Sequence, residues 1–179
     1  TERHAKFVYG LVRSLRPSAV LQTGVWRGYV TCHIAAALAE NGGGLVYAVD
    51  PFDPNWCGDA RMAPDAAMAQ RVLAEMGLAN HVRLIRGTVA DLPPIPAQFA
   101  YIDGDHRYES VQKDFEWAVA SGCQVIAMHD TTGNEGAATW FAEFRENRNA
   151  NEWDVIEFYH DEGLGLIVRR GPKPQPTYR

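Results

Sequence analysis

Short apolar runs that alternate with helical stretches constrain this chain more than any other feature. The runs are 19-AVLQTG-24, 45-LVYAVD-50, 82-VRLIRG-87, 99-FAYID-103, 124-QVIAMHD-130, 153-WDVIEFY-159 and 164-LGLIVRR-170. Helical spacing separates the first three and the fourth from the fifth, while a proline-rich connection, 91-DLPPIPAQ-98, joins the third to the fourth. Glu2 to Arg16 places Val8, Leu11, Val12 and Leu15 on one face, and Pro17 stops it. Thr31 to Glu40 turns Ile34, Ala35 and Leu38 inward, and 41-NGGG-44 closes it. Asp65 is placed to cap a helix running to Met76 with Met68, Val72, Leu73 and Met76 as its stripe. Tyr108 to Ser121 carries Tyr108, Val111, Phe115 and Ala118 on one side, and a later helix carries Trp140, Phe141 and Phe144.

This alternation predicts an α/β fold, a doubly wound and mostly parallel sheet with helices on both faces. The last two runs are joined by a loop too short for a crossover helix, so they are expected to pair antiparallel. With 179 residues, 46% of them hydrophobic, the chain can bury one real core. One domain over 1–170 with a Pro-rich tail over 171–179 is expected. A start at Thr1 suggests that something upstream was removed.

Ligands on such sheets bind beyond the carboxyl ends of the strands. That rule selects 22-QTGVWRG-28, 50-DPFD-53, 103-DGDH-106 and 129-HDTT-132 as one rim. Gly24 permits a backbone turn that a side chain would block, and Gly28 sits where helix N–H groups are free for an anionic group. An ordinary strand-to-helix turn is the competing reading. The turn lacks the G-x-G-x-x-G spacing of a dinucleotide site, which counts against NAD. Asp50 ends the second strand, where a carboxylate can accept from two ribose hydroxyls, or simply form a turn with Pro51. Phe52 is either a wall for an adenine or core.

Asp103 ends the fourth strand without a capping duty. Asp105 is read as the cap of the helix beginning near Arg107, and His106 as a structural residue of its first turn. At the end of the fifth strand, His129 and Asp130 lie one strand spacing from Asp103, so the three can converge on one ion. Their donors suit manganese, iron or zinc, and less well magnesium. The competing reading leaves Asp130 capping the following loop through Thr131 or Thr132.

The charge excludes some partners. Seventeen basic against twenty-two acidic residues give a net charge of −5 with no basic run, which disfavours nucleic acid. Cys32, Cys57 and Cys123 lack disulfide or metal spacing, no apolar run could cross a membrane, and the first residues do not form a signal peptide. A cytoplasmic protein with a small-molecule substrate is expected, and a homodimer is left open.

With these residues in place, the chain resembles the class I S-adenosylmethionine (SAM)-dependent methyltransferases, above all the bacterial group carrying an IDGDHxY signature, here 102-IDGDHRYESVQKD-114. It is also similar to the metal-dependent sugar and macrolide O-methyltransferases. The resemblance spans about Leu11 to Val168 and implies a Rossmann-like sheet of seven strands with the last antiparallel. It implies a cofactor turn over Gln22, Gly24, Val25, Trp26 and Gly28, with Asp50 on the ribose beside Pro51 and Phe52. It places 87-GTVA-90, with Thr88 and Val89, by the adenine, and Asp103 at the methionine end or on a metal. His129 and Asp130 stand where metal-dependent relatives place two ligands. Gln22 replaces the usual acid of the turn, and Val30-Thr31 replaces a Ser-Thr pair. The expected reaction is methyl transfer to a small-molecule hydroxyl, assisted by a divalent metal on Asp103, His129 and Asp130 or by His129 as general base, with His106 as second choice. The loop 51-PFDPNWCGDARM-62 is read as a substrate lid or a plain surface connection. A nicotinamide-dependent oxidoreductase and a non-catalytic cofactor-binding domain are the alternatives.

Overall fold

A computed structural model describes residues 2–55, 63–133, 135–147 and 151–171. Seven strands form one sheet in the order β3-β2-β1-β4-β5-β7-β6. They are β1 (Ala19–Thr23), β2 (Leu45–Asp50), β3 (Val82–Arg86), β4 (Phe99–Ile102), β5 (Val125–His129), β6 (Trp153–Phe158) and β7 (Leu164–Arg169). The first five run parallel, and β7 lies antiparallel to both β5 and β6. All seven expected strands are present, and the terminal pair is antiparallel as its short loop requires.

The helices are α1 (Glu2–Leu15), α2 (Tyr29–Glu40), α3 (Ala66–Glu75), α4 (Tyr108–Ala120) and α5 (Glu135–Asn147). Successive strand residues point to opposite faces, and the sheet therefore feeds two cores. Val20, Val46, Ala48, Phe99, Tyr101 and Ala127 pack with α1, α2 and α3. Leu21, Val49, Ala100, Ile102, Ile126 and Met128 pack with α4 and α5. Burial on both faces is why these strands read as continuous apolar runs.

Asp65 caps α3 as expected, its side chain accepting from Met68 N at 2.9 Å. Two stripe residues are corrected: Leu15 is 44% and Met76 56% exposed. Each sits in or just beyond the last turn of its helix, past the edge of the layer it packs on. On α1 the buried set is His4, Ala5, Val8 and Val12 instead. Asp105 is also corrected as a cap. Arg107 occupies the N-cap position, and Asp105 braces the turn before it, accepting from Arg107 N at 3.2 Å and the Ser110 hydroxyl at 2.9 Å. No helix among the described residues is long and apolar enough to cross a membrane. The larger part of the expected lid, residues 56–62, and the tail over 172–179 lie outside the described residues.

Candidate active site

Register sets the site. Val49, Thr23, Ile102 and Met128 pair across β2, β1, β4 and β5 as one row. The next residue along each strand is Asp50, Gly24, Asp103 and His129. Four of the rim residues expected from sequence are therefore level. The strand order reverses between β1 and β4, which is where open α/β sheets leave a ligand crevice.

Gly24 has φ +79, and a Cβ there would lie 1.8 Å from the Asp103 carbonyl oxygen, so the turn requires glycine. Gln22 is buried, its amide donating to Gly24 O at 2.8 Å. That bond fixes the amide and leaves Oε1 as a buried acceptor with no partner among the described residues. Val25 is buried, Trp26 is 40% exposed, and Gly28 occupies the N-cap of α2 with no side-chain cap. Asp50 organises this turn. Its Oδ2 accepts from Val25 N at 2.8 Å and Trp26 N at 2.9 Å, and its Oδ1 from Phe52 N at 2.6 Å. About four acceptor positions exist on a carboxylate, so one remains for a ligand hydroxyl. Pro51 is exposed, while Phe52 is buried in the core beside the Arg86 guanidinium. After β3, the Thr88 hydroxyl donates to Asp91, and Val89 is buried.

Asp103, His129 and Asp130 converge as expected. His129 Nδ1 lies 3.0 Å from Asp130 Oδ1 and 3.4 Å from Asp103 Oδ1. Two further residues were missed as members. His106 Nε2 sits 3.0 Å from Asp130 Oδ2 and 3.7 Å from Asp103 Oδ1, and the buried Tyr101 hydroxyl donates to Asp103 Oδ2 at 3.1 Å. Tyr101 could have been found, since it lies two residues before Asp103 on the same strand and so shares its face. Burial opposes a charge on His106, but the hydrogen bonds to Asp103 and Asp130 outweigh it and push its pKa up to about 10. His106 is thus held toward its imidazolium form at neutral pH, which weighs against it as a base. Burial likewise opposes a charge on His129, and its bond to Asp130 with the charge of Asp103 raises its pKa overall. Burial would raise Asp130, yet the two imidazoles hold it well below the usual carboxylate range.

Trp26, Phe52 and Asp130 all have positive φ, at 53°, 48° and 59°. Each stands just beyond the end of β1, β2 or β5. Strained backbone of this kind concentrates at functional sites.

Beneath the rim, Asp114 is buried with its Oδ2 about where a Gly104 side chain would begin, 3.0 Å from that Cβ position. Burial raises its pKa to about 7, against a smaller lowering by the Thr23 hydroxyl. An acid raised above its unfolded value of about 3.9 is held neutral by the fold. Stability therefore falls as pH rises from about 4 to about 7, by an amount on the order of a few kcal/mol. Asp114→Asn should flatten that limb of a melting-temperature profile and leave the protein more stable than the parent at pH 8. An unchanged slope across pH 4–7 in the variant would contradict this.

Residues 21–131 match the family model described as a methyltransferase domain, more than half of the chain. The chain belongs to this methyltransferase-domain family. Membership displaces the oxidoreductase alternative. The methyltransferase domain is also 29% identical over 177 residues to the protein y4gI of Sinorhizobium fredii, covering 92% of this chain and 18% of that protein. It thus spans less than a fifth of the length of the curated relative it matches. Among solved structures it shares its fold with the O-methyltransferase from Bacillus cereus in complex with SAH (TM-score 0.71, 18% identity, 95% of this chain and 82% of that one). TomG from Streptomyces achromogenes, an O-methyltransferase involved in tomaymycin synthesis and solved with SAM, gives 0.71 at 17% identity, covering 96% and 81%. Cofactor-bound Rv0187 from MTB gives 0.73 at 18% identity, covering 96% and 82%.

Proposed function

We propose that this methyltransferase domain transfers a methyl group from SAM to a hydroxyl of a small molecule. One observation carries the reading. Gly24, whose turn carries the unpartnered Gln22 acceptor, lies level with Asp50, Asp103 and His129 on one register row, and His106 and Asp130 join the last two. The O-methyltransferases from Bacillus cereus and Streptomyces achromogenes, solved with SAH and SAM, share the fold.

SAM, when bound, supplies an electrophilic methyl on sulfur. Gln22 Oε1 would accept from its amino group, and the N–H groups of the first turn of α2, after Gly28, would meet its methionine carboxylate. The free acceptor position of Asp50 serves the ribose, with Pro51, Thr88 and Val89 beside the nucleoside. Trp26 closes the crevice from the solvent side. Phe52 supports it from the core.

The acceptor hydroxyl must lose a proton and lie in line with the methyl. His129 is the side chain to take that proton, with Asp103 and Asp130 stabilising the imidazolium. The donor set of Asp103, His129 and Asp130 also fits a cation. Ligands on an ion at about 2.1 Å lie about 3.0–3.4 Å apart in octahedral or tetrahedral arrangement. The pairs here measure 3.0 and 3.4 Å. A divalent ion there, of the manganese, iron, zinc or magnesium class, would acidify and fix the hydroxyl.

Calorimetric titration with SAM and SAH tests the reading, and absence of binding heat for both would end it. Binding with no turnover on any hydroxyl acceptor would leave a cofactor-binding domain. Because His129 is raised above the ordinary imidazole value, the fraction in base form grows with pH. In chelator, turnover should therefore climb from pH 7 to pH 9. A metal-dependent reaction would instead stop in chelator.

A further inference from the structure

We infer a second cation site on the far side of the His129 imidazole, formed by His4, His129 and Glu162. It would take a divalent ion of borderline softness, such as zinc, cobalt or nickel. It shares His129 with the methyl-transfer reading but uses none of the groups assigned to SAM, so SAH binding and ion binding can be read separately.

His4 lies on the first turn of α1, His129 at the end of β5, and Glu162 in the loop joining β6 to β7. One ligand atom from each lies within 4.8 Å of the others. The His4 and His129 rings meet edge to face with centroids 4.7 Å apart. Two imidazoles bound to one ion at about 2.0–2.1 Å have centroids about 4.5–5.3 Å apart, so the rings already stand at ligand spacing. Edge-to-face contact is also ordinary packing between rings. Packing does not account for a carboxylate brought to the same pair, and Glu162 has no ion-pair partner among the described residues.

The orientation of each imidazole suits coordination. His129 Nδ1 lies 3.0 Å from Asp130 Oδ1, and both ring nitrogens are buried without a well-formed hydrogen bond among the described residues. His4 has the backbone of His160 as a hydrogen-bonding neighbour. Metal-bound histidines commonly offer their second nitrogen to a carboxylate or a backbone carbonyl, which fixes ring and tautomer. Here one histidine has the first kind of support and the other the second.

Glu162 is placed by its own backbone. Its carbonyl accepts from Thr132 N and Gly133 N, both at 3.0 Å, which pins the hairpin loop against the segment after β5. Two imidazoles and one carboxylate are a zinc-type donor set that leaves a fourth position open for water.

The test is a titration of the intact protein with Co2+ followed by visible absorption, with Zn2+ displacement. Parent, His4→Ala, Glu162→Gln and Asp103→Asn proteins are compared. The parent should give the ligand-field bands of a four- or five-coordinate ion. His4→Ala and Glu162→Gln should each weaken that binding by about 100-fold, and Asp103→Asn should retain it. Bound Zn2+ should also raise the melting temperature of the parent and not of Glu162→Gln, a surface change that leaves the core intact. SAH titration of the same four proteins keeps the two readings apart, since His4→Ala and Glu162→Gln should bind SAH as the parent does. No Co2+ binding by the parent would overturn the site. So would parent-like binding by His4→Ala and Glu162→Gln, or a loss confined to Asp103→Asn.

Discussion

Gly24→Ala is expected to lower the melting temperature by about 10 °C and to abolish SAH binding. The added methyl would start 1.8 Å from the Asp103 carbonyl oxygen and 2.4 Å from its carbon. Both are backbone atoms held in the β1–β4 ladder, where Asp103 N donates to Thr23 O at 3.0 Å. Neither can swing aside as a side-chain tip would. Left-handed backbone costs a residue with a Cβ about 1–2 kcal/mol, and overpacking adds about 1–3. At about 2–4 °C per kcal/mol for a chain of this size, the sum gives the stated shift. Gly10→Ala is the control. It lies inside α1 with open space around its Cβ position, so alanine should leave the protein unchanged or about 1 kcal/mol more stable. A Gly24→Ala protein that melts with the parent would refute the close approach at the strand end.

The second large effect is expected at Asp50. Asp50→Ala leaves the N–H groups of Val25, Trp26 and Phe52 without their acceptor. Charge-assisted bonds contribute about 1.5–3 kcal/mol each, and the turn recovers part of the loss by admitting water. A net cost of about 3–5 kcal/mol follows, with SAH affinity reduced by more than about 100-fold. Asp50→Asn separates two roles. It keeps one acceptor oxygen and turns an NH2 toward a backbone N–H. If Asp50 organises the turn, the ligand-free Asn variant melts well below the parent. If the carboxylate only met a ribose, that variant would lose SAH affinity while melting as the parent does.

Much of the fold was legible because both faces of the sheet are covered. Continuous apolar runs then mark strands directly, and a proline or glycine after each of the first four helices marks its end. Leu15 and Met76 were misread because periodicity does not stop where packing stops. A helix can keep its stripe for one more turn beyond the layer beneath it. The rim was legible from topology, which made Asp50, Gly24, Asp103 and His129 neighbours before any distance was known.

The rest was hidden for specific reasons. His106 looked like first-turn scaffolding because its partner Asp130 is remote in sequence. Their contact depends on the tight path through Gly104 and on the positive φ of Asp130. Nothing in the sequence singled out His4. It is buried because α1 sets its first turn against the end of β5, a contact that no local pattern announces. Asp50 was read as a ribose ligand or as a turn former with Pro51, and its hold on the turn after β1 was invisible because backbone N–H donors leave no mark in composition.

The shared register row has a practical meaning for altering this protein. The parallel ladders act as an alignment gauge, holding Asp50, Gly24, Asp103 and His129 level whatever loops are attached beyond them. Acceptor preference should therefore be open to change by exchanging the segments after β2 and β5, with the reacting groups left in place. A deletion of one residue inside β4 has the opposite character. It would move Asp103 off the row and turn Phe99 and Tyr101 toward the wrong core in a single step.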